Sequence, residues 1–163
     1  MSNIFRGCSF VFDLTKKQRK FALKVLSYLG DVETDLSCEE AFTRDAENNQ
    51  EAYLVARGIA FELDNYQPGF VGFCYNEHDD GVAIYSSTSF DTEYAAEFVH
   101  QILHYFDRKK SVFFEVARWC DERLDGKFGN MSCFVTKDKK NFHDPSDFNI
   151  QRISNTNNAE KLS

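Results

Sequence analysis

The stretch DTEYAAEFVHQILHYFD, Asp91 to Asp107, decides the fold. Tyr94, Ala95, Phe98, Val99, Ile102, Leu103 and Phe106 recur at the i, i+1, i+4, i+5 spacing of a single helical face. Asp91 is the expected N-cap and Glu93 places negative charge in the first turn. Arg108, Lys109 and Lys110 follow the far end, again with the sign that the helix dipole favours. A helix with one apolar stripe needs a surface to cover. Two strand-like runs come next, Val112 to Cys120 and Met131 to Thr136, joined by a polar loop holding Asp125-Gly126 and Phe128-Gly129-Asn130.

Toward the N-terminus, Cys8, Phe10 and Phe12 alternate against Ser9, Val11 and Asp13, as in a half-buried strand. Thr15-Lys16-Lys17-Gln18 has the form of a capping box and opens a second helix. Its stripe is Phe21, Ala22, Val25, Leu26 and Leu29, and Gly30 stops it. Asp31 to Ala52 carries no clear period, with a short helix over Glu39 to Ala46 as the one candidate. Beyond Ala52 the pattern reads as a three-strand meander, marked by Ile59/Phe61/Leu63, Val71/Phe73/Tyr75 and Val82/Ile84/Ser86. Its turns are Asn65 to Gly69, where Pro68-Gly69 suits type II, and Asn76 to Gly81. Lys137 to Ile150 reads as irregular, interrupted by Pro145. The order strand, helix, three strands, helix, two strands predicts an α+β two-layer sandwich. Its antiparallel sheet has five to six strands, with two main helices on one face. Residues 1–150 form the single domain and 151–163 a disordered polar tail.

At 163 residues the chain can bury a full core without metals or disulfides. With 42% hydrophobic and 28% charged residues it has the composition of a soluble, cytoplasmic protein. It contains no apolar run long enough to span a bilayer and no apolar leader after Met1. Seventeen Phe residues point to an aromatic core. The five cysteines, Cys8, Cys38, Cys74, Cys120 and Cys133, are odd in number and widely spaced, which suits reduced structural thiols. A net charge of −7 argues against direct nucleic-acid binding. Between Asp31 and Glu51, eight acidic residues face a single base, Arg44. Such a run is a solvated loop in the ordinary case. Alternatively, Asp35, Glu39, Glu40, Asp45 and Glu47 form an acidic surface for a protein partner with a basic surface.

The chain holds no G-x-S-x-G, H-E-x-x-H, P-loop or G-x-G-x-x-G. Asn76 to Gly81 has the oxygen-rich look of a calcium loop, but His78 and Ser87 stand where ligands belong. His100 and His104 share a helix face with Glu93 and Glu97. That face is expected to be solvated, and no further ligand is signalled. His78 and His143 fall in turns, and Cys120 has no base placed beside it. The expectation is therefore no metal, no cofactor and no catalytic residue. The densest unusual chemistry is Glu115 to Arg123 followed by Phe128-Gly129-Asn130. On alternation, Glu115 and Trp119 share one strand face, Arg118 and Cys120 the other. This segment reads either as an edge strand with a snorkelling Arg118 or as a recognition patch of Arg118, Trp119, Arg123, Phe128 and Gly129.

The run from Tyr94 through Phe98, Leu103, Trp119-Cys120, Arg123 and Phe128-Gly129 to Val135-Thr136 resembles a family of small acidic proteins of bacteriophages, plasmids and integrated elements. That family carries an aromatic-Ala-x-x-Cys strand with a following basic residue, then Phe-Gly-Gly and a Val-Thr strand end. Here Asn130 replaces the second Gly, and Asp121-Glu122 replaces a Ser-Lys-like pair. The match covers about a quarter of the chain. It implies a mobile-element origin rather than an activity. Three functions follow from the sequence. The first is a non-enzymatic acidic binding protein that inhibits a host defence or nucleic-acid-handling complex. The second is a small-molecule or nucleotide binder, enzymatic or not, using Arg118, Trp119 and Arg123. The third is a structural homo-oligomer.

Overall fold

In the computed structural model, residues 4–37, 46–120 and 129–144 are described. The elements run β1 (Ile4–Asp13), α1 (Lys16–Leu29), α2 (Ala46–Glu62), β2 (Cys74–His78), β3 (Gly81–Ser86), α3 (Thr92–Tyr105), β4 (Val112–Cys120), β5 (Met131–Val135) and β6 (Lys140–His143). The strands form one sheet in the order β2-β3-β1-β4-β5-β6, with every neighbouring pair antiparallel. The helices lie against one face, so the α+β sandwich read from the sequence is the observed fold. β1 sits in the middle, with Cys8 opposite Ser86 of β3 and Phe5 opposite Trp119 of β4.

Both expected helix starts are present. Thr15 accepts from the Gln18 amide while the Gln18 side chain accepts from the Thr15 amide, a complete capping box. Asp91 accepts from the Tyr94 amide at 3.1 Å and caps α3. The stripes also pack as read: Ala22, Val25, Leu26 and Leu29 of α1 and Phe98, Val99, Ile102 and Leu103 of α3 are fully buried. The sheet meets them with Phe12, Ile84, Val82, Phe114, Val116, Cys133 and Val135. Phe12 joins the layers edge-on to Phe98 at 6.1 Å, while Phe10 stacks on Phe114 at 4.5 Å within the sheet.

The first strand of the expected meander is instead the end of α2. Ala52, Tyr53, Ala56, Ile59, Ala60 and Leu63 are all buried, a helical spacing that carries the alternating Ile59 and Leu63 with it. Phe61, which the strand reading placed inside, is exposed. α2 packs on α1 and α3, with Tyr28 edge-on to Tyr53. The second strand starts later than Val71, at Cys74. The Pro68-Gly69 turn is type II as expected: Phe70 N–H donates to the Gln67 carbonyl at 3.2 Å and Gly69 has φ +81. It joins α2 to the sheet segment, however, rather than two strands. The β2–β3 hairpin turns at Asp79-Asp80, leaving Asn76 to His78 within β2. Gly30 ends α1 in the right-handed region, φ −88, rather than the left-handed one. Lys140 to His143, expected to be irregular, forms the edge strand β6 beside β5, while β4, one reading of which was an edge strand, lies inside the sheet between β1 and β5. The readings for Glu39 to Asp45, for Asp125-Gly126 and for Pro145 to Ser163 lie outside the described residues.

Candidate functional site

The segment after α1 is fixed by its own acidic residues. The Asp31 carboxylate accepts from the Glu33 amide at 2.9 Å and the Thr34 hydroxyl at 2.9 Å, and that of Asp35 accepts from the Ser37 amide at 3.0 Å. Leu36 anchors the segment in the core, and Tyr66 donates to the Thr34 carbonyl at 3.5 Å. Burial first, then the nearby Asp35 and Asp31, raises the Tyr66 hydroxyl above its ordinary pKa. Glu33 and Asp35 therefore stand exposed on a held backbone, beside a turn whose Glu62 and Asp64 are also exposed. Neither 31–37 nor 62–70 contains a Lys or Arg. Elsewhere, five basic residues pair within the molecule, Arg19 with Glu77, Lys110 with Asp13, Lys137 with Asp107, Lys140 with Glu97 and Arg118 with Asp144, while Lys16, Lys17 and Lys20 stand exposed on α1. Of the acidic surface read from the sequence, Asp35 belongs to this corner and Glu47 falls in the first turn of α2. Glu39, Glu40 and Asp45 lie outside the described residues.

The structure does not bring Arg118 and Trp119 into one patch. Arg118 faces the helices, where its guanidinium grips Asp144 through two bonds of 2.7 and 2.9 Å and reaches the Gly129 carbonyl at 3.1 Å. It ties β4 to the turns on both sides of the β5–β6 hairpin. Trp119 lies on the opposite sheet face, stacked on Phe5 at 5.8 Å and lying over Gly7, where an added Cβ would sit 3.0 Å from the indole. Arg123 and Phe128 lie outside the described residues. On the helix side of Arg118 is a cleft of about 490 Å³, lined by Arg6, Asn65, Phe70, Ser89, Asp91 and Glu93 among others. Its two guanidinium groups are matched by two carboxylates, so it offers no marked preference for an anion.

The helix face carrying His100 and His104 is solvated at its ends, where Glu93 and His104 are exposed, but not in its middle. Glu97 is only 2% exposed, because β5 and β6 close over that side of α3. Its carboxylate accepts from Gln101 at 2.8 Å and from the Lys140 ammonium. His100 donates through Nδ1 to the Thr136 carbonyl at 2.9 Å, and its ring lies 6.3 Å from that of His104. These are bonds that hold a hairpin on a helix. Among the described residues, no three His, Cys, Asp or Glu side chains are grouped to hold a metal. His78 and His143 end strands rather than occupying turns, and His78 Nδ1 accepts from the Asp80 amide at 3.1 Å. Cys8, Cys74 and Cys133 are free thiols in strands, as read. Burial pushes the Cys8 thiol up to about 11 and that of Cys133 to about 12, so both are inert at neutral pH.

No family model, curated protein or solved structure matches this chain. Among the described residues, no helix is long and apolar enough to cross a membrane.

The site that sequence reasoning passed over is the face of the sheet that no helix among the described residues covers. Side chains that alternate away from the helices include Phe5, Val11, Tyr85, Phe113, Trp119 and Phe134. Phe113 and Phe134 stand directly opposite one another on β4 and β5. The alternation Phe113, Glu115, Ala117, Trp119 was visible in the sequence. That nothing among the three helices covers it was not.

Proposed function

We propose that this chain is a non-enzymatic binding protein that engages a basic protein surface through its acidic corner. The observation that supports the reading is the exposed set Glu33, Asp35, Glu62 and Asp64 on two mutually packed segments that lack any base. A preordered cluster of one sign steers a partner of the other sign and loses little freedom on binding. A groove that normally holds nucleic acid is such a partner. Competition for that groove is the form in which the protein would inhibit a nucleic-acid-handling complex, including one of host defence. The engaged Arg118 and the charge-balanced cleft beside it weigh against the nucleotide-binding alternative.

The test is capture from host lysate at low and at high salt, with the parent chain and with Glu33→Gln/Asp35→Asn/Glu62→Gln/Asp64→Asn. The reading expects a nucleic-acid-binding protein to be retained at low salt, released at high salt and lost by the neutralised variant. Retention that ignores both salt and neutralisation would end it.

A further inference from the structure

We infer that the uncovered face of the sheet is a homodimer interface, on which a second copy of the chain packs sheet against sheet. The chain exposes large apolar side chains there, with Phe113 57%, Val11 42%, Trp119 38% and Phe134 37% exposed. They come from β1, β4 and β5, three adjacent strands, with Val11, Phe113 and Phe134 toward one end, Trp119 beside Phe5 toward the other, and Glu115 and Ser132 between. Two clusters of large apolar side chains exposed on one face mark an interaction surface.

Charge identifies the occupant. The face carries no Lys or Arg on its strands, and its carboxylates are Asp13, which Lys110 holds at 3.0 Å, and Glu115. A basic partner of the sort suited to the acidic corner finds almost nothing to bind here. Two copies of a chain of net charge −7 repel, and they meet with least repulsion where carboxylates are few. An aromatic-rich face whose one unpaired carboxylate is Glu115 can also meet a copy of itself, as an isologous contact requires.

The area is sufficient. Strands of four to ten residues, at ~3.3 Å per residue and ~4.8 Å apart, give a footprint of roughly 600 Å² per copy. Two copies together remove ~1,200 Å² from water, at the lower end of the range for a specific interface. The dimer is therefore expected to be weak and to dissociate on dilution. Aligned packing of the two twisted sheets would complete a four-layer helix–sheet–sheet–helix particle, with both acidic corners left open. This inference is independent of the proposed partner, because the two surfaces share no residue.

Sedimentation velocity of the full chain under reducing conditions, from ~1 to ~300 µM, tests it, with emission of Trp119, the single tryptophan, followed over the same range. The parent should pass from monomer to dimer, with a blue shift as the indole is covered. Phe113→Asp/Phe134→Asp and, separately, Ala117→Arg should weaken association by ~100-fold or more. Ala117 is exposed, so its variant keeps the test valid if the double variant misfolds. Phe61→Asp, equally exposed but on α2, should leave association unchanged. A parent that stays monomeric throughout overturns the inference and leaves the face to a different protein. A dimer that survives both sheet-face changes, or that Phe61→Asp breaks, overturns it as well.

Discussion

Lys140→Met removes one charge and keeps most of the side chain, and its effect can be worked out from the surroundings of Glu97. That carboxylate is 2% exposed, with Gln101 and Lys140 as its donors. Losing the ammonium leaves a buried charge with one neutral amide. Breaking a buried pair costs roughly 3–5 kcal/mol, and the partly exposed lysine places this one near the low end, at ~2–3 kcal/mol. For a domain of this size that lowers the melting temperature by ~5–10 °C. With a urea slope of ~2 kcal/mol/M, the midpoint falls by about 1–1.5 M. Glu97→Leu alone should be similarly harmful, whereas Glu97→Leu/Lys140→Met should recover most of the loss, because two matched apolar groups replace a desolvated pair. Urea unfolding of the four chains closes the double-mutant cycle. If Lys140→Met falls within ~0.5 kcal/mol of the parent, or the two single losses simply add, the lock of β6 on α3 does not exist.

Two further outcomes follow from local geometry. Thr15→Ala removes the acceptor for the Gln18 amide and should lower stability by ~1 kcal/mol, read as a urea midpoint shift; no shift would mean that the capping box contributes nothing. The buried thiols set an alkaline limit. Folding raises Cys8 from 9.0 to about 11 and Cys133 from 9.0 to about 12, so the neutral forms are favoured in the native state. Their contribution is intact below pH 9 and is lost as pH rises through 11 to 12. Urea midpoints should hold level from pH 7 to 9 and then decline. A level profile to pH 11 would contradict the burial of these groups.

What the sequence disclosed follows the range of the interactions involved. α1 and α3 were legible because their stripes and caps are local: Thr15 with Gln18, Asp91 with Tyr94, Phe98 with Ile102. α2 was misread because Ile59, Phe61 and Leu63 satisfy alternation as well as a helical period. The deciding signal was Ala52, Ala56 and Ala60, small residues at a four-residue interval. They let α2 approach α1 and α3 without presenting an obvious apolar stripe. The middle of the polar face of α3 was misread for a different reason. Lys140 lies 43 positions from Glu97, and no periodicity reveals that a later hairpin will cover a polar side chain. Arg118 and Trp119 were correctly assigned to opposite faces. One reading took their strand as an edge, because its pairing with β1, which sets Phe5 opposite Trp119, joins segments more than a hundred residues apart and leaves no local signal. The acidic corner was half legible: the charge run showed its sign, but the contact between Thr34 and Tyr66 that fixes its shape joins distant segments.

The central position of β1 has a kinetic consequence. The hairpin β2–β3 and the meander β4–β5–β6 share no ladder except through Ile4 to Asp13. During synthesis that strand emerges well before either neighbour and must wait for both Ser86 and Trp119 before its two edges are occupied. Such long-range closure slows folding and leaves a hydrophobic ribbon in search of any free strand edge in the meantime. The final step of assembly is thus an insertion between two half-sheets. Chains that tire of waiting would do so by exchanging this ribbon with a neighbouring molecule.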